Sequence, residues 1–280
     1  MNRFFPLVFS LAICSSAQAG LTKDIEYAKV DGSSLALDAF VPDGPGPFPA
    51  VIMVHGGGWD HGDKEGGKKR GWMVPMDEPL ARAGFAWFEI NYRLLPKYPY
   101  PACLEDVQSA IRWVKAHAAE YRVDPNRIAL AGESAGGYLV DLAAARADET
   151  TRVNAVVSFY GVYDMVAQAK SEGVKDNLGP LFGISELNDR TTPILWAGSA
   201  AAYLKAGLPP FLLVHGDADQ ISPYENDVAF RAKLLALGVA CDLITVPHGG
   251  HGMLTWGALA PGIKGEVVAW LQKNLPPPPR

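Results

Sequence analysis

Short apolar runs with no polar alternation recur along the chain at residues 50–54, 85–90, 128–131, 155–159, 211–214 and 243–246, each bounded by glycine, proline or charge. A strand with one wet face alternates apolar and polar residues, whereas a strand covered on both faces reads apolar throughout. Between these runs, helical spacing appears over 104–117, carried by Val107, Ile111 and Val114, and again over 135–147 and 263–275. A further helix is predicted over 225–237, with Val228, Leu235 and Leu237 as its apolar side. Alternating strand and helix of this kind predicts an α/β fold, a mostly parallel central sheet with helices on both faces. Residues 25–30 and 35–41, joined by Asp31-Gly32-Ser33, read as a hairpin, so the sheet of about eight strands starts antiparallel.

The first 19 residues stand apart. Arg3 provides a positive start, residues 4–13 are almost wholly apolar, and Ala17-Gln18-Ala19 fits a small-x-small cleavage site, which together read as a secretory signal. The run is too short to span a bilayer, for which about 20 residues are needed. Leu11-Ala12-Ile13-Cys14 loosely imitates a lipoprotein box, but Ile13 is large for its position, and anchoring through Cys14 ranks second. Residues 20–280 show no repeat and no shift of composition, and read as one domain. Within it, 162–208 forms a long polar connection of the kind that often serves as a lid or insert. Cys103 and Cys241 fall in segments expected to be buried and apart, and are read as free thiols. With a formal net charge of −5 the chain has no basic field for nucleic acid or anionic lipid.

Gly132-Glu133-Ser134-Ala135-Gly136 places a serine between two glycines where the apolar run 128–131 meets a predicted helix. A strand-to-helix turn this sharp holds its serine in strained backbone, and its flanking residues must lack bulk. Upstream, His55-Gly56-Gly57-Gly58-Trp59 directly follows the run 50–54. Consecutive glycines at a strand end let backbone amides approach a developing oxyanion, and the amides of Gly57, Gly58 and Ala135 are the candidate donors. Either feature alone occurs by chance; the two together in one chain are far more specific.

A serine nucleophile needs a base, and the base needs a carboxylate to hold its tautomer. The order serine, acid, histidine leaves His248 and His251 as bases, in the loop after 243–246, and the glycines on both sides favour His251. Asp219 and Asp217 follow 211–214. Asp219, deeper in the turn, is preferred as the acid, with Asp217 as a turn residue. His215 precedes both acids and is read as a buried hydrogen-bonding residue, and Asp164 as a residue ordering the loop behind it. His248-x-x-His251 lacks the spacing and acid of a zinc site, and no phosphate loop or dinucleotide fingerprint occurs, so neither metal nor cofactor is expected. Arg93 and Asp106 read as a structural ion pair. Trp59, Trp196 and Trp256 are candidates for an aromatic pocket or for packing, and Lys64, Lys68, Lys69 and Arg70 for a solvated loop face.

His55-Gly56-Gly57-Gly58-Trp59, Asn91-Tyr92-Arg93, Asp124-Pro125-Asn126-Arg127-Ile128, Gly132-Glu133-Ser134-Ala135-Gly136-Gly137, His215-Gly216-Asp217-Ala218-Asp219 and Gly250-His251-Gly252 stand in the order of a known family. Over nearly all of residues 20–280 the chain resembles the α/β-hydrolase-fold carboxylesterases, particularly the hormone-sensitive-lipase-like and feruloyl or acetyl-xylan-esterase-like members. The resemblance implies an exported serine esterase with the triad Ser134, Asp219 and His251, acting on short acyl or feruloyl esters of carbohydrate. Tryptophan after the glycines, where lipase-like members often carry phenylalanine, places the chain nearer the feruloyl-esterase and arylformamidase side. A general small-molecule carboxylesterase, and in another class an inactive hydrolase fold used for binding, are the alternatives.

Overall fold

Asp31 and Gly32 both take positive φ, 50° and 75°, as the two-residue turn that matches the right-handed twist of a hairpin requires. In the computed structural model, which describes residues 17–65, 75–174 and 177–277, this turn joins β1 (Gly20–Val30) to β2 (Ser33–Val41) with Val30 opposite Ser33. Residues 1–16 of the expected leader, with Cys14, lie outside the described residues, as do Lys68, Lys69 and Arg70.

The remaining strands are β3 (Phe48–Val54), β4 (Ala86–Ile90), β5 (Val123–Glu133), β6 (Ala155–Phe159), β7 (Phe211–Gly216) and β8 (Cys241–Val246). They form one eight-stranded sheet in the order β1-β2-β4-β3-β5-β6-β7-β8. β2 pairs antiparallel with both β1 and β4, and every later pairing is parallel. The α/β-hydrolase fold, mostly parallel with an antiparallel start, is thus the fold of this chain.

Successive side chains of a strand point to opposite faces, and the apolar runs therefore feed two cores. Ile52, Phe88 and Leu130 belong to one, with Val107 and Ile111 of α2 (Ala102–Ala116) and Leu139 and Leu142 of α3 (Ala135–Ala145), which follow α1 (Asp77–Arg82). Val51, Met53, Ala129 and Val157 belong to the other, covered by Leu80 of α1 and by a C-terminal helix described below. Arg93 sits at the end of β4 with its Nε 2.9 Å and Nη2 2.8 Å from Asp106 of α2, a buried pair that ties helix to sheet. Cys103 and Cys241 are both buried and unpaired.

Three expectations change. Residues 162–208 carry three short helices, α4 (Met165–Glu172), α5 (Leu178–Phe182) and α6 (Thr192–Ala197), and they bury Met165, Leu181 and Leu195 against the first core. Asp164 caps α4, accepting from the amides of Val166 and Ala167 at 3.0 Å each. The helix α7 (Tyr224–Ala236) buries Asp227, Phe230 and Leu234, and leaves Val228, Leu235 and Leu237 exposed. Its inward face is the stripe one residue over, because Phe230 stacks on Tyr163 at 4.2 Å and Asp227 reaches a buried partner. Lys64 is not solvated: its side chain is 7% exposed, with Nζ 2.7 Å from Asp38 and 2.8 Å from Asp24. The segment after β3 is thereby moored to the hairpin.

The other face is closed by α8 (Trp256–Leu259) and α9 (Ile263–Asn274), whose Val267, Trp270 and Leu271 pack into the second core. At the centre, β5 turns into α3 so tightly that a Cβ on Gly132 would overlap the Gly136 carbonyl, and one on Gly136 would overlap that of Val54 in β3. Backbone cannot yield as a flexible side chain does. Gly136→Ala is expected to destabilise the protein by more than about 3 kcal/mol. Gly265→Ala, in α9 with open space at its Cβ, should stabilise by roughly 0.5–1 kcal/mol. Denaturant melts of the two variants check both signs.

Candidate active site

Parallel register brings the loops after β3, β5, β6, β7 and β8 to one edge of the sheet, where ligands of such folds bind. Val54 pairs with Gly132 and Glu133 with Phe159, so the glycine loop, the serine turn and Tyr160 start side by side. Gly216 pairs with Val246, which sets the loop carrying Asp219 beside the loop carrying His251.

Ser134 adopts φ 52° and ψ −117°, a conformation costly for a residue with a Cβ. It is held there because its amide donates to the Phe159 carbonyl at 2.9 Å and its carbonyl accepts from Tyr138 at 2.9 Å. The Oγ lies 2.9 Å from His251 Nε2, and His251 Nδ1 lies 2.7 Å from Asp219 Oδ2. Both atoms of the Asp219 carboxylate are used: Oδ1 accepts from the amides of Ile221 and Ser222 at 2.8 and 2.9 Å, and Oδ2 also faces His215 Nε2 at 3.1 Å. Burial opposes ionisation of Asp219, but the hydrogen bonds from His215 and His251 outweigh it and hold the carboxyl well below the usual carboxylate range. The other two candidates pair with each other, the His248 amide donating to Asp217 Oδ1 at 2.6 Å, and both residues are exposed.

Gly58, Trp59, Ser134, Ala135 and His251 line a cavity of about 310 Å³. Ala135 opens α3, so its amide has no intrahelical acceptor and lies at the positive end of the helix. Gly57, at φ 109°, is the residue before Gly58 on the same loop and does not itself line the cavity. The insert adds Gln168, Glu172, Asn177 and Leu178 to the wall, and the acid loop adds Gln220 and Ile221. Of the three tryptophans only Trp59 lines this cavity: Trp196 is 43% exposed on α6, and Trp256 is buried with its Nε1 donating to the Gly250 carbonyl. No cluster able to hold a metal ion occurs among the described residues.

Several residues were not singled out by the sequence. Glu133, buried next to the serine, accepts from the Gly56 amide at 2.7 Å and so joins the serine turn to the glycine loop. Burial raises its pKa, and the Gly56 and Tyr160 hydrogen bonds pull in the opposite direction. Tyr160 sets its ring edge-on to His251 at 4.7 Å. Glu133 lies inside a motif already conspicuous, whereas Tyr160 carries no local signal. His55 is buried under the loop, stacked on Tyr92 at 4.3 Å with Nδ1 donating to the Gly56 carbonyl.

A family model, BD-FAE, matches residues 37–234. The probable carboxylic ester hydrolase LipM of Mycobacterium tuberculosis is 33% identical over 202 residues, covering 68% of this chain and 45% of LipM. The esterase LipQ of the same organism is 31% identical over 268 residues, covering 90% of this chain and 61% of LipQ. The chain thus spans about half the length of these curated relatives. Among solved structures, an acetyl ester-xyloside bifunctional hydrolase from Caldicellulosiruptor lactoaceticus superposes with a TM-score of 0.77 at 25% identity, over 92% of this chain and 98% of that one.

Burial drives the pKa of His55 down to about 4, while an unfolded histidine titrates near ~6.5. Between these values the unfolded chain binds the extra proton, so the stabilisation is complete above pH ~6.5 and is lost as pH falls towards 4. The loss should amount to roughly 3 kcal/mol. Stability measured by denaturant at pH 7, 5.5 and 4 should fall accordingly, and the slope should flatten in His55→Asn.

Proposed function

The chain belongs to the BD-FAE family of α/β-hydrolase-fold carboxylesterases, and on that premise we propose that it is an exported serine esterase acting on short acyl or feruloyl esters of carbohydrate. The observation that carries the reading is the unbroken contact from Ser134 Oγ through His251 to Asp219, opening on a cavity walled by Gly58 and Ala135.

In this reading His251 Nε2 takes the Ser134 proton as Oγ attacks the ester carbonyl, and the imidazolium is stabilised by Asp219 through Nδ1–H. The tetrahedral oxyanion is met by the amides of Gly58 and Ala135 at the cavity wall, with that of Gly57 behind Gly58 on the same loop as the remaining candidate, each such donor being worth about 10²–10³ in rate. Collapse breaks the bond to the alkoxy oxygen, His251 returns its proton to the leaving alcohol, and the acyl group stays on Ser134. Water, activated by the same imidazole, then releases the acid and restores the serine. No cofactor enters these steps.

Substrate size and polarity follow from the walls. About 310 Å³ is the small end of ligand cavities and suits a short acyl group with part of its alcohol. Gln168, Asn177 and Gln220 offer amides to sugar hydroxyls, while Trp59 and Ile221 offer apolar surface. The likeness to the acetyl ester-xyloside bifunctional hydrolase supports the same assignment. Export is supported by Arg3, the apolar residues 4–13 and Ala17-Gln18-Ala19. No described helix is long and apolar enough to cross a membrane.

Ser134→Ala should lower kcat on p-nitrophenyl acetate by about 10⁴–10⁶-fold and abolish labelling by a fluorophosphonate. Unchanged turnover in that variant overturns the mechanism. Across p-nitrophenyl esters of rising acyl length, methyl ferulate, acetylated xylan and N-formylkynurenine, serine-dependent release from acetylated xylan or ferulate is expected. Preference for the formamide would move the assignment to an arylformamidase, and turnover confined to p-nitrophenyl esters to a general carboxylesterase.

A further inference from the structure

Among the described residues the cavity over Ser134 is walled by two acidic or basic side chains, His251 of the triad and Glu172, and by no lysine or arginine. Glu172 is the last residue of α4. At that end of a helix the free carbonyls already gather negative charge, and a cation is the stabilising choice. Among the described residues its carboxylate accepts from Ser171 Oγ alone, 3.1 Å from Oε1. Lys170, two residues earlier, is exposed and off the wall. An acid placed at the disfavoured end of a helix, holding only its own neighbour, contributes little to the fold.

Gln168 stands one turn before Glu172, so the two share a face of α4. Its Nε2 is committed to the Ile221 carbonyl at 2.9 Å, while its Oε1, buried in the wall, receives no hydrogen bond from the described residues. The pair therefore has acceptors to offer and no donor. The cavity is also polarised. α3 begins on it with its positive end and the Ala135 amide, and α4 ends on it with its negative end and Glu172.

We propose that Glu172 is a specificity-determining residue that admits esters of neutral, hydroxyl-bearing sugars and turns away esters whose sugar carries a carboxylate. The inference rests on the esterase reading above and narrows its carbohydrate to neutral glycosyl units. A sugar hydroxyl can donate to Glu172 and accept from an amide such as that of Asn177, whose Nδ2 stands against Gly58. In a cavity of about 310 Å³ a second carboxylate has no room to stand far from the first. Like charges held roughly 8 Å apart in a partly solvated site repel enough to cost about three- to tenfold in binding.

The test compares a mono-acetylated methyl glucoside with the matching methyl glucuronoside, in which a carboxylate replaces the terminal hydroxymethyl group. The wild type should prefer the glucoside, and kcat/KM for the glucoside over that for the glucuronoside should fall roughly three- to tenfold in Glu172→Gln, which keeps the shape and removes the charge. In the wild type, about 0.5 M sodium chloride should narrow the same ratio. Glu172→Ala replaces Glu172→Gln if the latter does not fold. Glu149→Gln, in an exposed turn beyond the far end of α3, makes the same change of net charge and should leave the ratio where it is. A wild-type ratio near one, a ratio unmoved in Glu172→Gln, or an equal fall in Glu149→Gln would overturn the inference. Serine-dependent turnover of both sugar esters with an unmoved ratio removes this inference alone. Turnover of neither, or turnover surviving Ser134→Ala, removes the reading as a serine esterase of carbohydrate and this inference with it.

Discussion

The backbone of Gly136 lies against the carbonyl of Val54 with no room for a side chain, and the working edge of the sheet is built on that contact. It lets α3 start directly beneath the end of β3, so that the serine turn and the glycine loop share one corner. Glu133 reinforces the corner by bonding to the Gly56 amide from the serine's own chain neighbour. Were the helix pushed off by one methyl group, Ser134 would lose the neighbours that hold its positive φ, and Ala135 would leave the cavity. The strain at Ser134 is sustained by parallel register on either side of β5.

Around this corner the protein buries more ionisable groups than a core needs. They fall into two kinds. Lys64 with Asp38 and Arg93 with Asp106 are pairs of fixed charge that moor a loop or a helix, and breaking one partner would leave the other stranded. Asp219, His215 and Asp227 form a buried row of acid and imidazole that lies behind His251, itself in contact with Ser134. The first kind sets where the backbone goes, and the second stands directly behind the imidazole next to Ser134.

Much of this was legible beforehand, for physical reasons. Buried parallel strands must be apolar throughout, and a sharp strand-to-helix turn must be glycine-flanked, so 50–54, 128–131 and Gly132 to Gly136 announce themselves. What was hidden depended on partners far away in sequence. The stripe of Val228 and Leu235 is as apolar as that of Phe230 and Leu234, and only Tyr163 and His215 decide which turns inward. Lys64 reads as a solvated cation until Asp38, on another strand, is brought to 2.7 Å. The short helices of 162–208 carry too few turns to show a period, so Asp164, the cap of the first, read as a residue ordering a loop.

β8 lies at the edge of the sheet, hydrogen-bonded along one side to β7, with Asp242 and Thr245 exposed and Leu243 and Ile244 half-buried. Beyond that ladder it is held by Trp270 Nε1 donating to Asp242 at 2.7 Å, Tyr224 meeting Thr245 at 2.6 Å and Arg231 donating to the Cys241 carbonyl at 3.0 Å. The loop it ends in carries His251. Edge strands open locally at lower free energy than the centre of a sheet, so fraying of β8 would withdraw the imidazole while Ser134, both cores and most backbone hydrogen bonds stay in place. Opening of this one edge would thus part His251 from Ser134 in an otherwise near-native molecule.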